Sequence, residues 1–237
     1  MQIIDVRSLN DIDVQFLDEH GYIKQHVLYT NFKNGQIKNP YDITVSTVGY
    51  IGYGIHKSSY KKNTVYPGYK TWANMLRRCY DVRYQEMFPS YMGVSTVCEE
   101  WHNYQNFADW YDENKYEVDE RLHVDKDILY PSCHLYSPDT CLLVPQRINM
   151  LFTVSTRKND GLPQGIKKNK SGTYVVSYGE NQLGTHKTLD EAFLHYKKAK
   201  EQKIKEVAFQ YKTIIPNRLF EELLKYEVKI ENNINVA

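Results

Sequence analysis

Leu122-His123-Val124-Asp125-Lys126-Asp127-Ile128-Leu129 and, after a loop, Tyr136-Ser137-Pro138-Asp139-Thr140-Cys141-Leu142-Leu143-Val144-Pro145-Gln146-Arg147-Ile148-Asn149 are the residues on which the fold turns. They read as strand, loop, strand and short helix, with polar residues gathered where the first strand ends and the helix begins. On a strand, His123 and Asp125 are two apart and share a face. Asp125 and Asn149 are separated by 24 residues, a spacing that suits a hairpin folded back on its own helix.

Upstream, Trp72, Met75, Leu76 and Cys79 recur at i, i+3, i+4 and i+7, which predicts a helix from Pro67 to about Tyr80 with one apolar stripe. Arg77 and Arg78 lie beside that stripe, in reach of phosphate. Met92 to Val97 reads as a short strand. Trp101, Tyr104, Phe107, Trp110 and Tyr111 then return at helical spacing, predicting an aromatic-faced helix over 102–112 whose rings serve as core. Residues 1–50 alternate in the β manner: Ile12, Val14 and Phe16 at period two, then Ile23 and neighbours up to Leu28 and Phe32. Turn residues divide these runs, and Asn34-Gly35 favours a tight hairpin. A small antiparallel module of three to five strands is expected. The Gly- and Tyr-rich run 47–54 lacks the strand-to-helix context and the G-K-[ST] of a phosphate loop, so it reads as a turn-rich connection. Ser58 to Asn63 reads as a polar, basic linker.

Downstream, Tyr174-Val175-Val176-Ser177-Tyr178 alternates as a strand after Gly165-Ile166-Lys167-Lys168, and Leu183-Gly184-Thr185-His186 ends another. Thr188 followed by Glu191 is a capping box at the start of a long helix. Leu219, Phe220, Leu223 and Leu224 mark a final amphipathic helix, and residues 232–237 read as frayed.

The chain has 237 residues, 41% hydrophobic and 25% charged, as in ordinary globular proteins. It holds 21 tyrosines, whose rings finish shallow cores or stack on nucleic acid; the first use is the commoner. No stretch has the roughly 20 apolar residues of a membrane span, and no basic-then-apolar leader opens the chain, so a cytoplasmic location is expected. Cys79, Cys98, Cys133 and Cys141 form no C-x-x-C pair; free thiols are expected rather than a zinc centre. The net charge of +1 conceals an asymmetry. Glu99 to Asp139 carries 11 acidic and 3 basic residues, whereas Arg157 to Lys212 carries 12 basic and 6 acidic. A basic module that grips phosphate is implied, along with an acidic middle that repels it unless metal ions offset the carboxylates.

The spacing Trp72, Met75, Arg78-Cys79, the block Val97-Cys98-Glu99-Glu100-Trp101, the aromatic helix, the Asp-Lys strand end and Tyr136-Ser137-Pro138-Asp139-Thr140-Cys141 follow one another over about 80 residues. In this order they resemble phage-type HNH (ββα-metal) homing endonucleases. The segment from Gly165 to about Tyr211, with Leu183-Gly184-Thr185 and then Glu191-Ala192, resembles the ethylene-response-factor type of DNA-binding domain.

The first resemblance implies a Mg²⁺ or Mn²⁺ ion held by Asp125 and Asn149, with oxygen ligands and several waters. Lys126 stands where that family has its water-activating His, and Thr140 where it has the Asn that orients that base. Lys126 would then hold the scissile phosphate, and His123 or His134 would substitute as base. The second resemblance implies a sheet surface carrying Lys167, Lys168, Lys170, Tyr174 and Tyr178 against double-stranded DNA; Arg147 is a further candidate DNA contact. Lysines position on phosphate more than they read bases.

The expectation is thus an α+β chain: a β module (1–56), an HNH-like core (64–155), a DNA-binding module (162–214) and a C-terminal helix (215–231). Its expected function is Mg²⁺-dependent DNA cleavage in a bacterial host cytoplasm. The alternatives are a DNA-binding protein on a catalytically degenerate scaffold and a phage inhibitor that binds a host protein.

Overall fold

The computed structural model describes residues 1–61, 64–131, 133–153 and 161–230. In chain order its elements are β1 (Gln2–Ser8), β2 (Asp11–Gln15), β3 (Ile23–Val27), α1 (Tyr29–Lys33), β4 (Ser59–Lys61), β5 (Thr64–Val65), α2 (Pro67–Tyr80), α3 (Val82–Met87), β6 (Thr96–Val97) and α4 (Tyr104–Asn114). There follow β7 (Leu122–Asp125), β8 (Leu135–Tyr136), β9 (Leu142–Pro145), α5 (Gln146–Phe152), β10 (Ile166–Lys168), β11 (Tyr174–Tyr178), β12 (Asn181–His186), α6 (Leu189–Gln210) and α7 (Asn217–Lys225). The class is α+β, with several small sheets and seven helices among the described residues.

The chain forms two compact units: residues 1–81 with 99–109, and residues 82–98 with 110–237. The units divide at 81/82, at 98/99 and, inside α4, at 109/110. In the first unit β1, β2 and β3 make an antiparallel sheet whose Ile12, Val14 and Val27 close a small core with Ile37. The expected strand through Leu28 and Phe32 is instead α1. Asn34 and Gly35, the latter at φ +65°, terminate that helix rather than turn a hairpin; a left-handed glycine serves either purpose. The expected linker holds a two-strand ribbon, Ser59–Lys61 with Thr64–Val65. Helix α2 occupies the expected span, and Trp72, Met75, Leu76 and Cys79 are buried. The Trp72 indole N–H donates to the Trp101 carbonyl (2.6 Å), and its ring lies 5.3 Å from that of Tyr104.

Among the described residues of the second unit, two hydrophobic clusters share one helix. Strands β7 and β9 pair antiparallel, with Asp125 opposite Leu142 and Leu122 opposite Pro145, and α5 follows β9 directly. Ile128, Val144 and Ile148 pack there with Ile204, Val207, Ala208 and Tyr211 from the C-terminal half of α6 and with Leu219 and Leu223 of α7. Glu120 fastens the joint: its carboxylate accepts from the Arg147 backbone N–H (2.8 Å) and from the Tyr211 hydroxyl. At the other end of α6, Ala192 and Tyr196 pack on Ile166 and Val176 of the sheet β10-β11-β12. The expected capping box is present, with the Thr188 Oγ accepting from Glu191 N–H and the Glu191 carboxylate accepting from Thr188 N–H. Gly165, at φ +78°, lets β10 enter: a Cβ there would stand 2.4 Å from the Ser177 carbonyl oxygen and 2.5 Å from the Tyr196 ring.

Met92 to Val97 contributes only Thr96–Val97, which pairs parallel with Leu135–Tyr136. The expected fraying over 232–237 lies outside the described residues. Cys79 and Cys141 are buried and Cys98 and Cys133 half-buried, all as free thiols. Among the described residues no helix is long and apolar enough to cross a membrane.

Two predictions arise from these cores. Trp72→Ala removes a fully buried ring and its hydrogen bond and is expected to cost about 3–5 kcal/mol, measured by urea denaturation. Lys200, 3% exposed on the buried stripe of α6, has its ammonium pushed down to about 8 by desolvation. The folded state therefore releases that proton before the unfolded state does. Stability is expected to rise between pH 8 and 10.5 by on the order of 2–3 kcal/mol, and this rise should be absent from denaturation curves of Lys200→Met.

Candidate functional site

The strand end that carries Asp125 is built as a closed turn. Leu122, Val124 and Asp125 are buried and His123 is half-buried, so both faces of β7 are covered. At the end of the strand the chain turns through 126–129, and Asp125 Oδ1 accepts from the Ile128 N–H (2.9 Å). A carboxylate acting in this way caps the turn. Asp125 is 7% exposed, and desolvation, with Asp127 beside it, pushes its carboxyl up to about 6.

Lys126 is 6% exposed; its ammonium lies 2.7 Å from Asp127 Oδ1 and 5.5 Å from the centre of the Tyr136 ring. The expected phosphate-holding lysine is therefore buried and paired with Asp127. The ion pair and the ring offset the cost of desolvating it.

Thr140 is engaged in the loop before β9. Its hydroxyl donates to the Leu135 carbonyl (2.7 Å) and accepts from Ser137 N–H (3.0 Å), tying the Tyr136–Cys141 turn to itself. His134 is exposed, and its backbone carbonyl accepts from Thr96 N–H (2.7 Å). Asn149 is half-buried on α5. The structure thus assembles strand, loop, strand and helix in the expected order.

Among the described residues, no three His, Cys, Asp or Glu side chains gather around Asp125 within metal-sharing distance. Such a trio does occur elsewhere, as Asp11, Asp13 and His26. Its centre already holds a cation. The Arg7 guanidinium reaches Asp11 (2.7 Å), Asp13, Asp5 (2.5 Å) and His26 Nδ1 (3.2 Å). Hydrogen bonding to Arg7 holds the Asp11 carboxyl down at about 2. The trio is an arginine-centred network.

The expected DNA-contacting residues separate into groups. Arg77 (exposed, 3.7 Å from Asp81) and Arg78 are in the first unit. Arg147, in the second, donates to Gln210 (2.8 Å) and lies over the Tyr211 ring, so it braces α5 against α6.

In the C-terminal sheet, Ile166 pairs with Val176 and Lys168 with Tyr174, while Lys167, Val175 and Thr185 make the alternate row. Tyr174 and Tyr178 share the Val176 pleat and pack with the α6 core, Tyr178 edge-on to Tyr196 at 5.8 Å. Both tyrosines expected on the DNA-binding sheet thus lie half-buried on the α6 side. Lys168 lies at their side, its ammonium 5.5 Å from the Tyr174 ring centre. The open row holds Lys167 and Thr185, both exposed, with half-exposed Val175. Lys170 is exposed in the β10–β11 turn, where Asn169 N–H donates to the Thr173 carbonyl (2.7 Å). Sequence reasoning passed over Val175 and Thr185, although the period-two rule that selects Val176 for the core assigns them to the other face.

Burial of Asp125 has a consequence for stability. Its carboxyl is raised in the folded state, so the folded chain holds a proton that the unfolded chain has lost. The stabilisation is complete below about pH 4 and is lost as pH rises through about 6. Asp125→Asn keeps an oxygen for the Ile128 N–H and removes the titration. Relative to wild type, it is expected to be more stable by on the order of 2–3 kcal/mol at pH 8 and equal near pH 4, read from paired denaturation curves.

No known protein family, curated protein or solved structure matches this chain.

Proposed function

We propose that the protein binds double-stranded DNA through the open face of the β10-β11-β12 sheet, on a ββα scaffold whose strand-end carboxylate is structural. The observation that carries this reading is the uncovered pleat. Three paired strands lie on α6 with one face and present Lys167, Val175 and Thr185 on the other, with Lys170 at the adjoining turn. The surrounding segment, Arg157 to Lys212, has twice as many basic as acidic residues. An exposed sheet with lysines at its edge suits phosphate contact, and small side chains between them let the backbone of the duplex approach. The resemblance of Gly165–Tyr211 to the ethylene-response-factor type of domain supports the same reading. The absence of arginine from the described residues of this module points to modest base selectivity.

The cleavage reading keeps one observation in its favour. Asp125 ends the first strand of a ββα unit and Asn149 lies on its helix, the arrangement implied by the HNH resemblance. Against it stand the capping role of Asp125, the burial of Lys126 and the turn-locking bonds of Thr140.

Supercoiled plasmid separates these readings. Retardation without cleavage is expected in Mg²⁺ or Mn²⁺. The double variant Lys167→Ala/Lys170→Ala should lower the slope of log K against log salt by about 1.8. Cleavage by wild type that disappears in Asn149→Ala, with far-UV circular dichroism unchanged, would restore the nuclease. Asn149 is the better alanine probe because Asp125→Ala also removes the turn cap on the Ile128 N–H. Plasmid that is neither cut nor retarded would overturn both readings and leave the host-protein inhibitor.

A further inference from the structure

The first unit contains an aromatic cluster that the DNA-binding reading does not use. Three loops bring it together. His20 and Tyr22 come from the β2–β3 turn, Tyr41 from the segment after Pro40, and Tyr50 and Tyr53 from the Gly- and Tyr-rich run. His20 stacks on Tyr41 with ring centres 4.1 Å apart, Tyr41 lies 5.8 Å from Tyr50 and 6.1 Å from Tyr22, and Tyr22 lies 5.3 Å from Tyr53. The rings meet at angles of 41° to 64° except for the His20–Tyr41 stack. Tyr53 is 69% exposed.

The loops are held by directed bonds. Asp18 Oδ1 accepts from His20 N–H (3.1 Å) and Gly21 N–H (3.0 Å), and Asn39 donates to the same carboxylate. Asn39 Oδ1 accepts from Tyr41 N–H (3.1 Å). Gly52, at φ +71°, donates to the Pro40 carbonyl (2.9 Å); a Cβ there would stand 2.1 Å from the Asn103 amide oxygen. Tyr50 N–H donates to the His102 carbonyl (3.0 Å), and Tyr104 N–H returns to the Tyr50 carbonyl (3.0 Å). Rings on loops braced in this way pay little ordering entropy when a ligand arrives.

Charge decides what the cluster suits. The three loops (residues 16–22, 38–42 and 49–54) contain Asp18, Glu19 and Asp42 against Lys38 and His20, whose Nε2 lies 3.6 Å from Glu19. The Glu19 side chain is 87% exposed, and Glu19 stands near enough to Tyr50 to help hold its phenol above the usual range, after burial and Tyr41. A nucleic-acid phosphate would meet this acidic rim and be repelled. A cation is drawn both by the carboxylates and by the π faces of the rings, and a planar guanidinium suits tilted rings best.

We infer that this surface is a docking site for the arginine side chain of a protein partner, formed by Tyr22, Tyr41, Tyr50 and Tyr53 with Glu19 at its rim. The site is independent of the DNA-binding reading.

The test uses the full chain and calorimetric titration at low salt. The probe is an acetylated, amidated pentapeptide with two arginines between glycines; the controls are the same peptide with glutamines and an oligothymidylate of about ten nucleotides. The arginine peptide is expected to bind with Kd on the order of 0.1–1 mM, and the glutamine peptide at least about tenfold more weakly. Tyr53→Ala should weaken the arginine peptide about five- to tenfold and Glu19→Gln about two- to threefold. Tyr53→Phe, which keeps the π face, should stay within about twofold.

Tyr53 is largely exposed, so its variants are expected to keep the wild-type circular dichroism. An arginine peptide that gives no heat at about 5 mM overturns the inference. So does one whose binding survives in Tyr22→Ala/Tyr53→Ala, which would put it on some other acidic surface. Oligothymidylate binding that is lost in Tyr53→Ala also overturns it, and would make the cluster a platform for nucleobases.

Discussion

Helix α6 is the one element that both cores of the second unit need. Small sheets of two or three short strands cannot bury their own apolar faces and stay folded alone. Here the hairpin β7–β9 and the sheet β10-β11-β12 solve this with the same cover. The helix has 22 residues and is therefore about 33 Å long. Its first half lies on Ile166 and Val176, its second half on Val144 and Ile148. Between the halves the buried stripe passes through Lys200, an amine whose burial lowers its proton affinity. The β7–β9–α5 element and the C-terminal sheet consequently lie in one compact unit.

The same shortage of cover explains the chemistry of the strand end. Closing the turn after β7 takes Asp125 out of water and spends its carboxylate on the Ile128 N–H. Lys126 follows it inward and is offset by Asp127 and the Tyr136 ring. Thr140 knits the returning loop with three short-range bonds. Asp125, Lys126 and Thr140, three of the residues that resemble parts of a catalytic set, are thus engaged by their neighbours, and a satisfied buried group contributes to rigidity and to a unique turn. That is the physical ground for favouring binding over cleavage.

Much of the fold was legible from spacing. The apolar stripe of α2, the alternation of β11, the capping box of α6 and the strand–loop–strand–helix order all follow from side-chain periodicity and cap chemistry. These are local properties of a few turns or residues. Legibility failed where one local signal serves two structures. Asn34-Gly35 ends a helix as readily as it turns a hairpin, and Leu28 to Phe32 has β-like composition but forms a helical turn of which Phe32 packs against the Ile12 and Val14 core. In the candidate site, the sequence located Asp125 at a strand end and Asn149 on a helix, but it could not tell a metal ligand from a turn cap.

The sequence by itself determined which residues can share a face, where helices begin, and where charge accumulates, because each depends on neighbours within a few positions. Only the tertiary structure decided which faces are covered. It turned Tyr174 and Tyr178 toward α6 and left Lys167 and Thr185 exposed, a choice set by the helix landing on the Val176 pleat. It also gathered Tyr22, Tyr41, Tyr50 and Tyr53 from three loops. No periodicity links those residues; the Asn39 side chain donating to the Asp18 carboxylate and the Gly52 N–H donating to the Pro40 carbonyl join the loops.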